Sequence, residues 1–139
     1  MIPAQLTEQI KRDEGYRRFP YLDSLGILTV AYGRNLISRG ISISEAEVLL
    51  RNDIEDSWNQ CRTAIPVFRE LDEARCAVLA NMCLNIGIKS LLGFRKMLRA
   101  CAAGNYELAA VEMLDSTWHR QVGARAERLA EQMRTGEWA

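Results

Sequence analysis

One short stretch limits the folds open to this chain more than any other. Arg17 to Ile37 is the only segment that reads as β-structure. Tyr21, Ile27, Thr29, Val30 and Tyr32 favour strands, and Asp23-Ser24-Leu25-Gly26 is a turn candidate among them. Arg39-Gly40 closes the stretch. The chain on either side carries helical periodicity. Residues 3–13 read as a short helix with Leu6, Gln9 and Ile10 on one face, and Gly15 punctuates its end. Ser42-Ile43-Ser44-Glu45 matches a capping box, while Ser44 with Glu47 offers a rival start. Either start launches a long helix to about Arg62, in which Ala46, Leu50, Ile54, Ser57, Trp58 and Cys61 recur at helical spacing before Pro66. Further helices are expected from Leu71 to about Leu84, stopping near Gly87, and from about Phe94 to Ala103, stopped by Gly104. Asn105 caps another through Leu114, and Arg125 to Arg134 makes the last before Gly136. This order predicts an α+β fold, mostly α: a small β-containing lobe, a connecting helix and a larger helical lobe.

The 139 residues suit a single domain, and an apolar fraction of 48% can build a sizeable core. Eighteen basic residues balance eighteen acidic ones, a neutrality that argues against nucleic-acid binding and against steering to an anionic wall. No apolar run approaches the roughly 18 residues that a membrane span needs, so no membrane insertion is expected. Met1 to Glu8 lacks a basic start followed by an apolar run, so it does not read as an export signal or anchor, and the expected compartment is the cytoplasm. Cys61, Cys76, Cys83 and Cys101 lie in helical segments with no CxxC pair and no matching histidine spacing. They read as buried reduced thiols, with no metal site and no cofactor. His119, the sole histidine, reads as a surface or capping residue. Nothing in the sequence signals obligate oligomerisation, so a monomer is expected.

The chemistry lies in one cassette, Asp13-Glu14-Gly15-Tyr16-Arg17-Arg18-Phe19-Pro20-Tyr21-Leu22-Asp23-Ser24-Leu25-Gly26-Ile27-Leu28-Thr29-Val30-Ala31-Tyr32-Gly33. Glu14 ends the first helix, where the macrodipole disfavours a carboxylate, so its placement needs a reason. Asp23 falls in a turn, where aspartates usually bond backbone amides. Thr29 would otherwise be an ordinary strand residue. Two carboxyl groups across a cleft are what glycosidic hydrolysis requires: one protonates the leaving oxygen, the other handles water or the developing cation.

The order and spacing resemble the phage-type lysozymes, the T4 lysozyme-like endolysins of glycoside hydrolase family 24. Further segments carry the same resemblance: Ser42 to Asp53, Asn81 to Gly87, Gly93-Phe94, Trp118 to Arg128 with its Arg125-Ala126-Glu127-Arg128 run, and Arg134-Thr135-Gly136-Glu137-Trp138. The resemblance implies a lysozyme-like two-lobe fold, with a small lobe over about 14–50 and a helical lobe over about 1–13 and 62–139. It implies a muramidase that cleaves the β-1,4 bond between N-acetylmuramic acid and N-acetylglucosamine in peptidoglycan. Glu14 would be the general acid, protonated near working pH with help from burial. Asp23 would stabilise the cation, and Thr29 would position water. Asn35, Leu84 and Asn85 fall at cleft-lining, substrate-binding positions, and Arg125 is expected to pair with Glu14. The function implied is host lysis by an endolysin held in the cytoplasm until a holin-type membrane protein admits it to the wall.

The chain departs from the family at Ala31-Tyr32-Gly33-Arg34, where Gly-x-Gly-His is common. Ala31 is expected to keep a negative φ. Arg34 replaces a histidine and is expected to pair with Asp53. The run from Arg34 to Ser42 is also short for the family, which trims the small lobe. A lytic transglycosylase, using one Glu and leaving an anhydro end, is the alternative enzyme. A non-catalytic peptidoglycan-binding protein on a lysozyme scaffold is the alternative outside enzymes.

Overall fold

Glycine and proline punctuation sets most of the element boundaries. The computed structural model describes residues 1–139 and runs α1 (Ala4–Glu14), β1 (Arg17–Leu22), β2 (Leu28–Ala31), β3 (Arg34–Asn35), α2 (Ile43–Ala64), a 3-10 turn (Pro66–Glu70), α3 (Glu73–Ile86), α4 (Ile88–Leu92), α5 (Arg95–Ala102), α6 (Tyr106–Leu114), α7 (Thr117–Val122) and α8 (Ala124–Thr135). The fold is α+β and mostly α, as the sequence predicts. The chain divides into two compact units, Met1–Val48 and Leu49–Ala139, and the boundary falls inside α2. Residues 1–13, expected with the helical lobe, fall in the first unit. Only Gly15 and Tyr16 separate α1 from β1, and the last turn of α1 lies beside the turn that follows β2.

In the first unit the three strands form an antiparallel sheet in the order β1-β2-β3. Tyr21 faces Thr29 and Leu22 faces Leu28, while Thr29 also faces Asn35 and Val30 faces Arg34. The register slips between Arg17 and Tyr21, so Arg17 pairs with Ala31 across an irregular stretch. Of the two capping boxes open to α2, the one at Ser42 forms: Glu45 N–H donates to Ser42 Oγ at 3.2 Å, and Ser42 N–H donates to Glu45 Oε1 at 3.0 Å.

Ala31 overturns one expectation. Its φ is +57°, in the left-handed region, as is that of Gly33 at +73°. Val30 pairs with Arg34, so the reversal from β2 into β3 takes Ala31, Tyr32 and Gly33, and this tight turn has positive φ at its first and third residues. An L side chain there costs roughly 1–2 kcal/mol, partly offset by the unfolded-state entropy that a glycine would add. Ala31→Gly is therefore expected to stabilise the chain by about 0.5–1 kcal/mol, read as a higher denaturant midpoint with an unchanged slope.

The second unit holds the core. Leu79, Met82, Leu91, Met97, Met113 and Met133 are fully buried, joined by Val78 and Cys61. Edge-on aromatic pairs, Trp58 with Phe68 at 5.0 Å and Phe94 with Trp118 at 6.0 Å, brace it. All four cysteines are buried and free, and burial pushes the Cys61 thiol up to about 12 and the Cys101 thiol up to about 11. Side-chain caps start three helices here: Asp72 on α3, Asn105 on α6 and Ser116 on α7. The short α4 and α7 and the 3-10 turn escape the sequence reading, being too brief to show a period. His119 has a capping role: Nδ1 meets the Leu114 carbonyl at 2.9 Å and Nε2 meets Glu127 at 3.2 Å.

α8 is tied to α3 by polar side chains as well as by packing. The buried Gln132 amide donates to the Ala74 carbonyl at 2.8 Å. Arg75 reaches the C-terminal end of α8, donating from Nε to the Met133 carbonyl at 2.6 Å and from Nη2 to the Arg134 carbonyl at 3.1 Å. Its guanidinium also lies 3.6 Å from the Tyr106 ring centroid and bonds Asp72 at 2.9 Å.

Candidate active site

Glu14, Asp23 and Thr29 all lie in the first unit, on or beside the small sheet. Glu14 is the last residue of α1, which Gly15 ends at φ +72° with its N–H on the Lys11 carbonyl. The Glu14 carboxylate sits against Gly33. A Cβ on Gly33 would come within 2.5 Å of Glu14 Oε2 and 2.8 Å of its Cδ. Gly33 is thus needed twice, for its positive φ and for the room that it leaves this carboxylate. The sequence reading missed that role, although Gly33 is the first glycine after Thr29 and closes the cassette. Glu14 is exposed, so the burial expected for a proton-donating carboxyl is not supplied by the unit that carries it.

Asp23 shapes the turn between β1 and β2. Its Oδ1 accepts from Leu25 N–H at 2.8 Å and from Ile27 N–H at 2.9 Å. Backbone bonds, Asp23 N–H to Ile27 O and Gly26 N–H to Asp23 O, close the same turn. This is the common work of a turn aspartate, and it also fixes the side chain while Oδ2 takes no protein donor. Thr29 is buried at 4% exposure, and its hydroxyl donates to the Ile27 carbonyl at 2.8 Å. With the proton committed there, the oxygen lone pairs remain acceptors. Asn35 uses Oδ1 on Ile37 N–H and Ser38 N–H, at 3.0 and 2.9 Å, which leaves its amide N–H groups for other partners.

Arg34 corrects a second expectation. Its guanidinium grips both carboxylate oxygens of Glu45, and Nη1 also donates to the Gly40 carbonyl at 3.0 Å. The sequence reading expected Asp53 in the place that Glu45 takes. Gly40 turns the chain so that the first turn of α2 faces β3, and the capping box already holds Glu45 there. The hydrogen bond from Arg34, with those from Ser42, lowers the Glu45 carboxyl to about 2. A lowered folded-state value means that the stabilisation is whole above the ordinary carboxylate range and lost as pH falls through about 2. Denaturation midpoints measured down that acid range are expected to fall less steeply in Glu45→Gln than in the parent chain.

The remaining candidates lie in the second unit. Asn85 Oδ1 accepts from Trp118 Nε1 at 2.8 Å, a bond that orients the indole beside Phe94. Leu84, half-exposed, lines a cavity of about 430 Å³ with Leu50, Ile54, Trp58, Asn81 and Trp138. Arg125 lines it too and donates from Nε and Nη2 to Asn81 Oδ1 at 3.1 and 2.7 Å. Asp53 lies on α2 within this unit. A second cavity, of about 600 Å³, is walled by Phe94, Met97 and Trp118 with Glu112 and Ser116 at polar points.

Residues 11–135 match the family described as phage lysozyme. The chain is similar to the pre-baseplate central spike protein Gp5 of Enterobacteria phage T4, at 26% identity over 94% of this chain and 28% of that protein. It is also similar to two probable T4-type lysozymes of Dictyostelium discoideum, numbers 2 and 1, at 26% and 24% identity over 96% of this chain and 95% of each. The chain therefore spans under a third of the spike protein and nearly the whole of the Dictyostelium proteins. The matched region contains Glu14, the Asp23 turn, the Thr29 hairpin and every helix from α2 to α8. On that match the chain belongs to the phage lysozyme family.

Proposed function

We propose that this protein is a muramidase that hydrolyses the β-1,4 bond between N-acetylmuramic acid and N-acetylglucosamine in bacterial peptidoglycan. Family membership supports a lysozyme-type glycosidase. The observation that carries the finer reading is the seating of the Glu14 carboxylate on Gly33, in the same hairpin as Thr29 and the same small sheet as the Asp23 turn. Glu14 donates its proton to the glycosidic oxygen as the bond from that oxygen to the anomeric carbon breaks. Asp23 faces the developing oxocarbenium charge through its free oxygen. Thr29 accepts a hydrogen bond from the attacking water, whose other proton passes to the Asp23 carboxylate. Asn35, Leu84 and Asn85 contact the glycan, and Arg125 supports the site.

The biological setting follows from the same reading. The protein acts as a monomeric endolysin, held inside the host until a holin-type membrane protein gives it access to the wall. No helix is long and apolar enough to cross a membrane.

Digestion of purified peptidoglycan, with products read by mass spectrometry, tests the proposal. Muropeptides with reducing N-acetylmuramic acid ends are expected. Anhydro ends would replace it with a lytic transglycosylase, and an undigested wall to which the protein binds would leave a binding module.

A further inference from the structure

Tyr16 and Tyr32 are exposed at 64% and 44%, yet their rings meet at 5.6 Å between centroids with planes tilted by 45°. Arg17 pairs with Ala31, so Tyr16 and Tyr32 are the next facing positions at the end of the same ladder, and nothing else in their own unit covers the two rings. Their position is specific. Tyr16 is two residues beyond Glu14, and Tyr32 precedes Gly33, the residue against which the Glu14 carboxylate rests. Lys11, one turn before Glu14 on α1, holds its ammonium 5.9 Å from the Tyr32 centroid. The pair thus adjoins the candidate acid and carries a cationic donor at its edge, all within the first unit.

We propose that the Tyr16–Tyr32 pair is a stacking platform for a pyranose ring of the glycan strand, beside the bond that Glu14 protonates. The proposal rests on the hydrolase reading for the identity of that strand. A pyranose presents a patch of C–H groups on its ring face and hydroxyls around its rim. The electron-rich face of a tyrosine attracts the C–H patch, while its phenol and the Lys11 ammonium hydrogen-bond the rim. Two rings in contact at 5.6 Å and tilted by 45° offer a strand running past the acid more aromatic surface than either ring alone. A ring seated there also removes water from the two tyrosines, and no part of the first unit does so.

The experiment separates binding from turnover. Glycan strands freed of their stem peptides are titrated into the Glu14→Gln chain, with tyrosine ring resonances followed by NMR. The Tyr16 and Tyr32 rings are expected to shift together as the strands bind. Tyr16→Leu with Tyr32→Leu is expected to weaken binding on the order of tenfold, while the two Phe replacements hold it within a few-fold, because the aromatic face supplies most of the contact. Ring resonances that stay fixed while strands bind, or a Leu pair that is folded and binds like its parent, would overturn the platform. Strands that do not bind at all would overturn it as well. A chain that hydrolyses peptidoglycan with unshifted tyrosines keeps the hydrolase reading and loses the platform. One that stacks glycan without hydrolysing it keeps the platform and loses the hydrolase reading.

Discussion

Glu14→Gln is expected to lower peptidoglycan hydrolysis by roughly 10²–10⁴-fold, the usual worth of a positioned proton donor, with little change in melting temperature. The amide matches the carboxyl in size and can still lie against Gly33, but it has no proton to give. The side chain is exposed and makes no ion pair or hydrogen bond within the first unit, so the exchange removes no interaction that holds that unit together. Release of reducing ends, assayed beside a thermal melt, checks both halves. Unchanged turnover would remove Glu14 from its role. Gly33→Ala gives a complementary result. The new methyl group would lie 2.5 Å from Glu14 Oε2 on a backbone at φ +73°, so either the carboxylate or the turn must move. Turnover is expected to fall while the acid itself is retained, and stability is expected to drop by about 1–2 kcal/mol from the left-handed strain.

Arg75→Ala is expected to cost about 3 kcal/mol, the largest stability loss from any single charged residue in the chain. Three interactions go at once. Two carbonyls at the C-terminal end of α8 lose charged donors, where the helix dipole makes a cation favourable. The Tyr106 ring loses its cation, and the Asp72 cap of α3 loses its flanking partner. The guanidinium is only 14% exposed, so water replaces few of these contacts. A Cβ on Gly136 would lie 2.9 Å from Arg75 Nη1, so the chain after α8 is shaped around this side chain. The melting temperature is expected to fall by roughly 10 °C. Arg75→Lys is expected to recover only part of the loss, since a single ammonium cannot reproduce the fork that bonds two successive carbonyls. Equal stability of the Lys and Arg forms would refute the bidentate account.

Residues close in sequence were the legible part of this protein. Ser42 and Glu45, Asn105 and the start of α6, and the glycines that end α1, α3 and α8 act through hydrogen bonds spanning a few residues, so spacing alone reveals them. The α+β class followed from the confinement of strand-like residues to one stretch. The cassette drew Glu14, Asp23 and Thr29 together as candidates by resemblance, and the Asp23 turn was legible as a turn for local reasons.

Choices among several possible partners were decided elsewhere. Arg34 could have met any acidic residue that folding brought near. Glu45 won because the Gly40 turn and the capping box deliver it to β3. Ala31 took a left-handed φ because the three-residue reversal that joins Val30 to Arg34 outweighs its local preference, which is worth roughly 1–2 kcal/mol. The seat of Glu14 on Gly33, the meeting of Tyr16 with Tyr32 and the grip of Arg75 on α8 join residues 16 to 59 positions apart. Sequence alone determined the elements and their ends, because the hydrogen bonds that make a helix turn or a cap are local. Only the tertiary structure determined which side chains meet, because that depends on how whole elements pack and which of many competing partners they bring within reach.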